Sequence, residues 1–128
     1  MRLFLLSERL AIARLAHDAP RPAEPPLGRF FSVTRTADEL SVVASEEFLP
    51  RADRLERGWR CFMAEGPFEF SAIGILASLA GPLAAAKLSV FAISTYDTDY
   101  ILVKEYDLSN AIAALEKAGH TVVNSDAG

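Results

Sequence analysis

Apolar positions along the chain come in short runs broken by charge, proline or glycine, and the spacing within each run separates strands from helices. Leu3-Phe4-Leu5-Leu6 is the first run. It stops at Ser7-Glu8-Arg9, too soon for the apolar core of a secretory signal, and predicts a short buried strand. Leu10 to Leu15 fits a second strand, although its Ala and Leu content also suits a helix. Between Asp18 and Gly28, Pro20, Pro22, Pro25 and Pro26 remove amide donors and hold the residues before them out of the helical region, which predicts an ordered loop. Phe30 to Thr36 and Leu40 to Glu46 carry the β-branched and aromatic content of paired strands, with a turn at Ala37-Asp38-Glu39. Arg51 to Gly58 is charged and fits one short helix closed by Gly58.

The second half is patterned more cleanly. Trp59, Cys61 and Met63 alternate along a strand from Trp59 to Glu65, and Gly66-Pro67 breaks it. Ile73, Leu76, Leu79 and Leu83 share one face of a helix expected over Ala72 to Ala86, with Ser71 as its N-cap and Pro82 bending or shortening it. Leu88 to Thr95 and Tyr100 to Lys104 are apolar strands joined by Tyr96-Asp97-Thr98-Asp99. Ser109 is placed to cap a last helix that buries Ile112 and Leu115 and ends at Gly119, before a short strand at Thr121-Val122-Val123. From Trp59 onward the order is β-α-β-β-α-β.

A shift of 59 residues lays Arg35 to Glu46 on Ser94 to Glu105, with Thr36, Asp38 and Glu46 meeting Thr95, Asp97 and Glu105 and the strand hydrophobics in step. The chain therefore divides into a degenerate first unit, residues 1–58, and a fuller second unit, residues 59–128. The first has the proline loop where the second has its long helix.

Charge narrows the partners. Lys and Arg number 13 against 17 Asp and Glu, a net charge of −4 that disfavours phosphate-rich partners, so neither nucleic acid nor an anionic membrane is expected. Hydrophobic residues make up 51% of the 128, enough for a packed core. The longest uncharged stretch, Phe70 to Ala86, is interrupted by Ser, Gly and Pro and is too short to span a bilayer. One cysteine, Cys61, allows no internal disulfide and no cysteine-rich metal site, in keeping with a cytoplasmic protein.

The β-α-β-β-α-β unit with Gly74-Ile75-Leu76-Ala77 in its first helix resembles the ACT domain, a regulatory module that commonly binds amino acids. The string Ser94-Thr95-Tyr96-Asp97-Thr98-Asp99 resembles more specifically the bacterial ACT-like subgroup related to the ACT pairs of the cytosolic arginine sensor of the TOR pathway. The resemblance implies an α+β fold of two tandem ferredoxin-like (ACT-like) units, with antiparallel sheets and helices on one face. It also implies side-by-side pairing, and hence a homodimer. Effectors of such proteins sit between ACT units, near the start of the first helix and the end of the second strand. On this chain those places are Gly74, Ile75 and Leu76, and Thr95, Tyr96 and Asp99. Ala72 departs from the arginine-sensing relatives, which carry an acidic residue two positions before the helix glycine.

The chemistry of these positions suits an amino acid. A ligand carboxylate can take the unsatisfied amides of a helix start between Ser71 and Leu76, and an ammonium can take Asp99 or Asp97. Against this, an aspartate in a hairpin turn commonly bonds its own backbone, and Gly74 also suits helix packing. Cys61 in a buried strand is read as a small hydrophobe, and His120 as a partner of the carbonyl end of the helix before it. His17 has no second ligand at metal spacing, and Glu46, Glu47 and Glu105 are read as solvated strand ends. Trp59 reads as a core or interface anchor. The expectation is a non-enzymatic, cofactor-free module sensing an amino acid or similar small metabolite. The alternative is a ligand-free adaptor mediating protein association, its cleft filled by Phe68, Phe70 and Tyr96.

Overall fold

The computed structural model describes residues 1–49, 52, 54–69 and 72–124. Its strands are β1 (Arg2–Leu5), β2 (Leu10–Leu15), β3 (Phe31–Arg35), β4 (Leu40–Ser45), β5 (Arg54–Ala64), β6 (Val90–Ser94), β7 (Asp99–Lys104) and β8 (Thr121–Asn124). The helices are α1 (Ile75–Ala85) and α2 (Leu108–Lys117). Contacts divide the chain into two compact units, Glu8–Trp59 in one and Met1–Ser7 with the chain from Arg60 onward in the other.

In the first of these, the strand order is β3-β4-β2 followed by the beginning of β5. Leu10 to Leu15 is strand rather than helix because it pairs on both sides, with β4 (Ala13↔Val42) and with β5 (Ala13↔Leu55). The same pairing overturns the helix expected over Arg51 to Gly58. Arg51 and Asp53 lie outside the described residues, but Arg54 onward is strand, because ladder bonds to β2 outweigh a weak local helical preference. A register shift between Leu10 and Ile12 marks a bulge opposite, and there the Gly58 N–H donates to Glu46 Oε2 at 2.9 Å. Ala13, Leu40 and Val42 form the core, with Leu15, Phe31, Val33 and Leu55 packed against it.

The proline-rich loop is tied at both ends. Arg35 donates to the carbonyls of His17 and Ala19, the latter at 2.8 Å. Arg29 donates to Glu8 Oε1 at 3.0 Å, Ser45 Oγ at 3.2 Å and Glu47 Oε1 at 2.6 Å, with its guanidinium 4.7 Å from the centre of the Phe48 ring. Glu46 and Glu47 are therefore engaged partners rather than solvated strand ends.

The other unit has strand order β8-β1-β5-β7-β6. β1 lies between the first and last strands of the β-α-β-β-α-β run, antiparallel to β5 (Leu3↔Ala64) and parallel to β8 (Leu3↔Val122). Alternation puts Leu3, Leu5, Phe62, Ala64, Ile101 and Val103 on one sheet face. Leu79 and Leu83 of α1 and Ala111 and Leu115 of α2 complete a single buried cluster with them.

Helix α1 starts three residues later than the periodicity suggests. Gly74 is its N-cap, at φ 80°, a left-handed conformation that a continuing right-handed helix cannot include. Ser71, the expected cap, lies outside the described residues. The later start leaves Ile73 outside the helix and 96% exposed, and Leu76 is also exposed, so of the four residues predicted to face inward only Leu79 and Leu83 do. Pro82 neither shortens nor stops the helix. Its missing N–H orphans the Ser78 carbonyl, which accepts instead from His120 Nε2 at 2.9 Å. His120 thus serves α1 through its ring, while its backbone N–H bonds the Leu115 carbonyl in the last turn of α2 at 3.1 Å. At the C-terminus of α1, Lys87 N–H bonds the Ala84 carbonyl at 2.9 Å and Leu88 N–H the Leu83 carbonyl at 3.0 Å, with Lys87 at φ 64°. Helix α2 begins at Leu108 with Asp107 as N-cap, not at Ser109, because a 3-10 turn over Glu105–Asp107 runs directly into it.

The 59-residue repeat has a structural counterpart. Arg35↔Leu40 closes the β3–β4 hairpin and Ser94↔Asp99 closes the β6–β7 hairpin. Each turn carries the same bond, Thr36 N–H to the Glu39 carbonyl at 2.9 Å and Thr95 N–H to the Thr98 carbonyl at 2.8 Å. Each second strand ends in a 3-10 turn, Glu46–Phe48 and Glu105–Asp107.

Two substitutions check this packing by chemical denaturation. Leu83→Ala leaves a void under α1 and is expected to cost about 2–5 kcal/mol. Lys87→Gly relieves a side chain held in the left-handed region and is expected to add about 0.5–1 kcal/mol.

Candidate functional site

A cavity of about 280 Å³ opens where the start of α1 meets the β6–β7 turn, within the unit that carries both helices. It is lined by Phe68, Glu69, Ala72, Gly74, Ile75 and Leu76, on the path into and the first turn of α1, and by Ser94, Thr95, Asp97, Thr98 and Asp99 of the β6–β7 hairpin. Gly74 contributes no side chain to cap the first helical turn, and the amides of Ile75, Leu76 and Ala77 have no acceptor within the helix. The partial positive charge of a helix N-terminus therefore borders the cavity.

The β6–β7 turn is closed by bonds of its own. Thr95 N–H donates to the Thr98 carbonyl at 2.8 Å, and Thr95 Oγ1 bonds the same carbonyl at 3.1 Å. Asp99, the first residue of β7, accepts from Ser94 Oγ at 2.6 Å through Oδ1, which leaves its other oxygen for a further donor. Phe68 N–H donates to the Asp97 carbonyl at 2.9 Å, and Thr98 Oγ1 donates to the Ala64 carbonyl at 2.7 Å. Burial pushes the phenol of the neighbouring Tyr100 above its usual value, with smaller contributions from Cys61 and Asp97.

The lining thus combines backbone donors at a helix start with three carboxylates, Glu69, Asp97 and Asp99, and hydroxyls from Ser94, Thr95 and Thr98. No lysine, arginine or histidine is among the lining residues. Chemically, such a cavity can hold a small molecule with one anionic and one cationic end: the anion on the amides, the cation on Asp99 or its neighbours.

Of the residues singled out from the sequence, Gly74, Ile75, Leu76, Thr95 and Asp99 line this cavity together. Tyr96 does not; its side chain is 81% exposed beside the turn. Phe70 lies outside the described residues, and Phe68 lines the cavity without filling it. Glu69, Ser94 and Thr98 were not among the expected contacts. Ser94 was legible in principle, since a four-residue turn places it opposite Asp99. Glu69 was not, because its approach depends on the path of the chain after Pro67.

The other chemistry-bearing groups stand apart from the cavity. Cys61 is fully buried in β5 and lies 3.8 Å from the Phe62 carbonyl. His120 is held by the Ser78 carbonyl, and among the described residues no group of three or more His, Cys, Asp or Glu is arranged to hold a metal ion. No helix among them is long and apolar enough to cross a membrane.

The human cytosolic arginine sensor for mTORC1 subunit 1 is 32% identical over 115 residues, covering 80% of this chain, which spans about a third (35%) of that protein's length. A crystal structure of protein Atu0741 from Agrobacterium tumefaciens superposes with TM-score 0.88 at 38% identity, over 97% of this chain and 92% of that one. An aspartate kinase of Clostridium acetobutylicum, 10% identical, shares the fold at TM-score 0.63 over 91% of this chain and 33% of the enzyme. A second family model, of an N-terminal domain, matches residues 8–52. The ACT-domain model matches residues 54–117, which takes in β5, both helices and the whole cavity, and the chain belongs to the ACT-domain family.

Proposed function

We propose that the protein is a non-enzymatic regulatory module that senses a free amino acid in this cavity. The observation that carries the reading is that the helix start at Gly74–Leu76 and the carboxylate-bearing Asp99 line one cavity of about 280 Å³. The α-carboxylate docks on the amides and the α-ammonium on the free oxygen of Asp99, with Asp97 and Glu69 adding negative potential. Similarity to a named arginine sensor supports an amino acid as the ligand class. A second reading has its own support: Ile73 and Tyr96 are 96% and 81% exposed beside the cavity, as in a surface that associates with another protein, a second copy of this chain included.

A thermal-shift screen against the proteinogenic amino acids separates the two. Saturation at about 100 times the dissociation constant adds roughly 2.7 kcal/mol of stability, which for a chain of this size raises the midpoint by about 10 °C. Asp99→Asn keeps the acceptor for Ser94 and removes the charge, so it is expected to abolish most of that shift while leaving the unliganded midpoint nearly unchanged. A collapse of that midpoint would make Asp99 a structural residue. If no amino acid moves the wild type, association is the better reading, and a dimeric mass at micromolar concentration is its expected signature.

A further inference from the structure

The two walls of the cavity are joined by a contact that the turn itself does not require. Thr98 is only 8% exposed, and its Oγ1 donates to the carbonyl of Ala64, the last residue of β5, at 2.7 Å. Immediately after β5 the chain crosses the same turn at close range. A Cβ on Gly66 would stand 3.0 Å from the Asp97 carbonyl oxygen and 3.2 Å from Thr98 Cβ, tighter than ordinary van der Waals contact. This approach lets Phe68 N–H reach the Asp97 carbonyl at 2.9 Å. Phe68 and Glu69 thereby join Thr95, Asp97 and Asp99 in the cavity lining.

The internal repeat supplies the control. Residue 39 is the counterpart of residue 98 in the β3–β4 hairpin, and there it is glutamate. That turn closes with the same bond, Thr36 N–H to the Glu39 carbonyl at 2.9 Å, and with Glu39 N–H on Thr36 Oγ1 at 3.2 Å. A hydroxyl at this place is therefore not a requirement of the turn. Its work lies in the bond to Ala64.

We infer that Thr98 and Gly66 are positioning residues of the cavity: the Thr98 hydroxyl pins the β6–β7 turn to the end of β5, and the bare Cα of Gly66 lets the Phe68–Glu69 wall close against it. Neither holds the ligand. Their effect is to fix the distance between the Glu69 side and the Asp97–Asp99 side, and its consequence for binding rests on the amino-acid reading above. A pinned wall needs no rearrangement when a small molecule enters, whereas a loose one must be ordered at the expense of affinity.

The test compares Thr98→Val, which keeps the shape and loses the hydroxyl, with Thr98→Ser, which restores it. Amide exchange followed by NMR reads the clasp without any ligand. In Thr98→Val the Phe68 amide is expected to exchange about ten-fold faster or more, because a buried carbonyl loses its donor and the wall loosens. The Thr95 amide, which belongs to the turn, and the core amide of Leu83 should keep their protection, and Thr98→Ser should return Phe68 toward the wild-type rate. Gly66→Ala should expose the Phe68 amide in the same way. Unchanged Phe68 exchange in Thr98→Val overturns the inference, as does loss of Thr95 protection in parallel, which would make Thr98 a turn-forming residue. Each proteinogenic amino acid is also titrated calorimetrically into wild type and both Thr98 variants. For any that binds wild type, the dissociation constant should weaken about ten-fold in Thr98→Val and recover in Thr98→Ser. An unaltered constant beside a loosened Phe68 removes the link to binding. Failure of every amino acid to bind wild type rejects the amino-acid reading and leaves the exchange result to decide the clasp.

Discussion

The burial of Leu79 and Leu83 brings α1 onto the sheet. Both are buried among Leu3, Leu5, Phe62, Ile101 and Val103, and their removal from water is the main force holding the helix there. The helix cannot move along its axis without withdrawing them, so its N-terminus stays beside the β6–β7 turn. The cavity follows from that constraint. Its helix side needs no polar side chain, since Gly74 and the first-turn amides are oriented by a helix whose position is set by two leucines a turn or two further on.

The helix is also made tolerable by a repair. Pro82 fits an ordinary helical dihedral but leaves the Ser78 carbonyl without its amide, and an unpaired carbonyl in a partly buried helix is costly. His120, brought alongside by the turn after α2, donates Nε2–H to that oxygen. The turn after α2 and the middle of α1 are thus joined by a side-chain bond. A histidine that suggests chemistry in the sequence has a backbone partner in the structure.

Each unit uses the same hairpin with different attachments. In one, Arg14 of β2 donates to the Asp38 carbonyl of the β3–β4 turn at 3.0 Å, and an arginine network, Arg29 with Glu8, Ser45 and Glu47, ties down the proline loop. In the other, the corresponding turn adds a threonine hydroxyl bonded to β5 and an aspartate at the head of β7 bonded to Ser94. Two polar groups of the cavity lining are ones the second copy has and the first lacks: Thr98 where Glu39 stands, and Asp99 where Leu40 stands. Leu40 is fully buried in its own core, so the same hairpin position serves packing in one unit and the cavity in the other.

Local pattern determined most of the elements of this protein. β-Branched and aromatic content marked β3 and β4, apolar runs marked β6 and β7, alternation marked the end of β5, and Gly119 marked the end of α2, since each of these depends on residues within a few positions of one another. The ACT resemblance was likewise legible in Gly74-Ile75-Leu76 and Ser94 to Asp99, and it brought Thr95 and Asp99 to notice before any geometry was known. Tertiary structure decided what depends on distant partners. Arg54 to Gly58 is strand because β2 offers it a ladder, and β1 lies between β5 and β8 because partners some sixty and a hundred and twenty residues away complete its bonds. Ile73 is exposed because Gly74 takes a left-handed conformation that periodicity does not encode. The approach of Gly66 to Asp97, the bond from Thr98 to Ala64 and the place of Glu69 in the cavity were likewise invisible. They arise from two chain segments some thirty residues apart meeting at one edge of the helix, a meeting that short-range spacing does not specify.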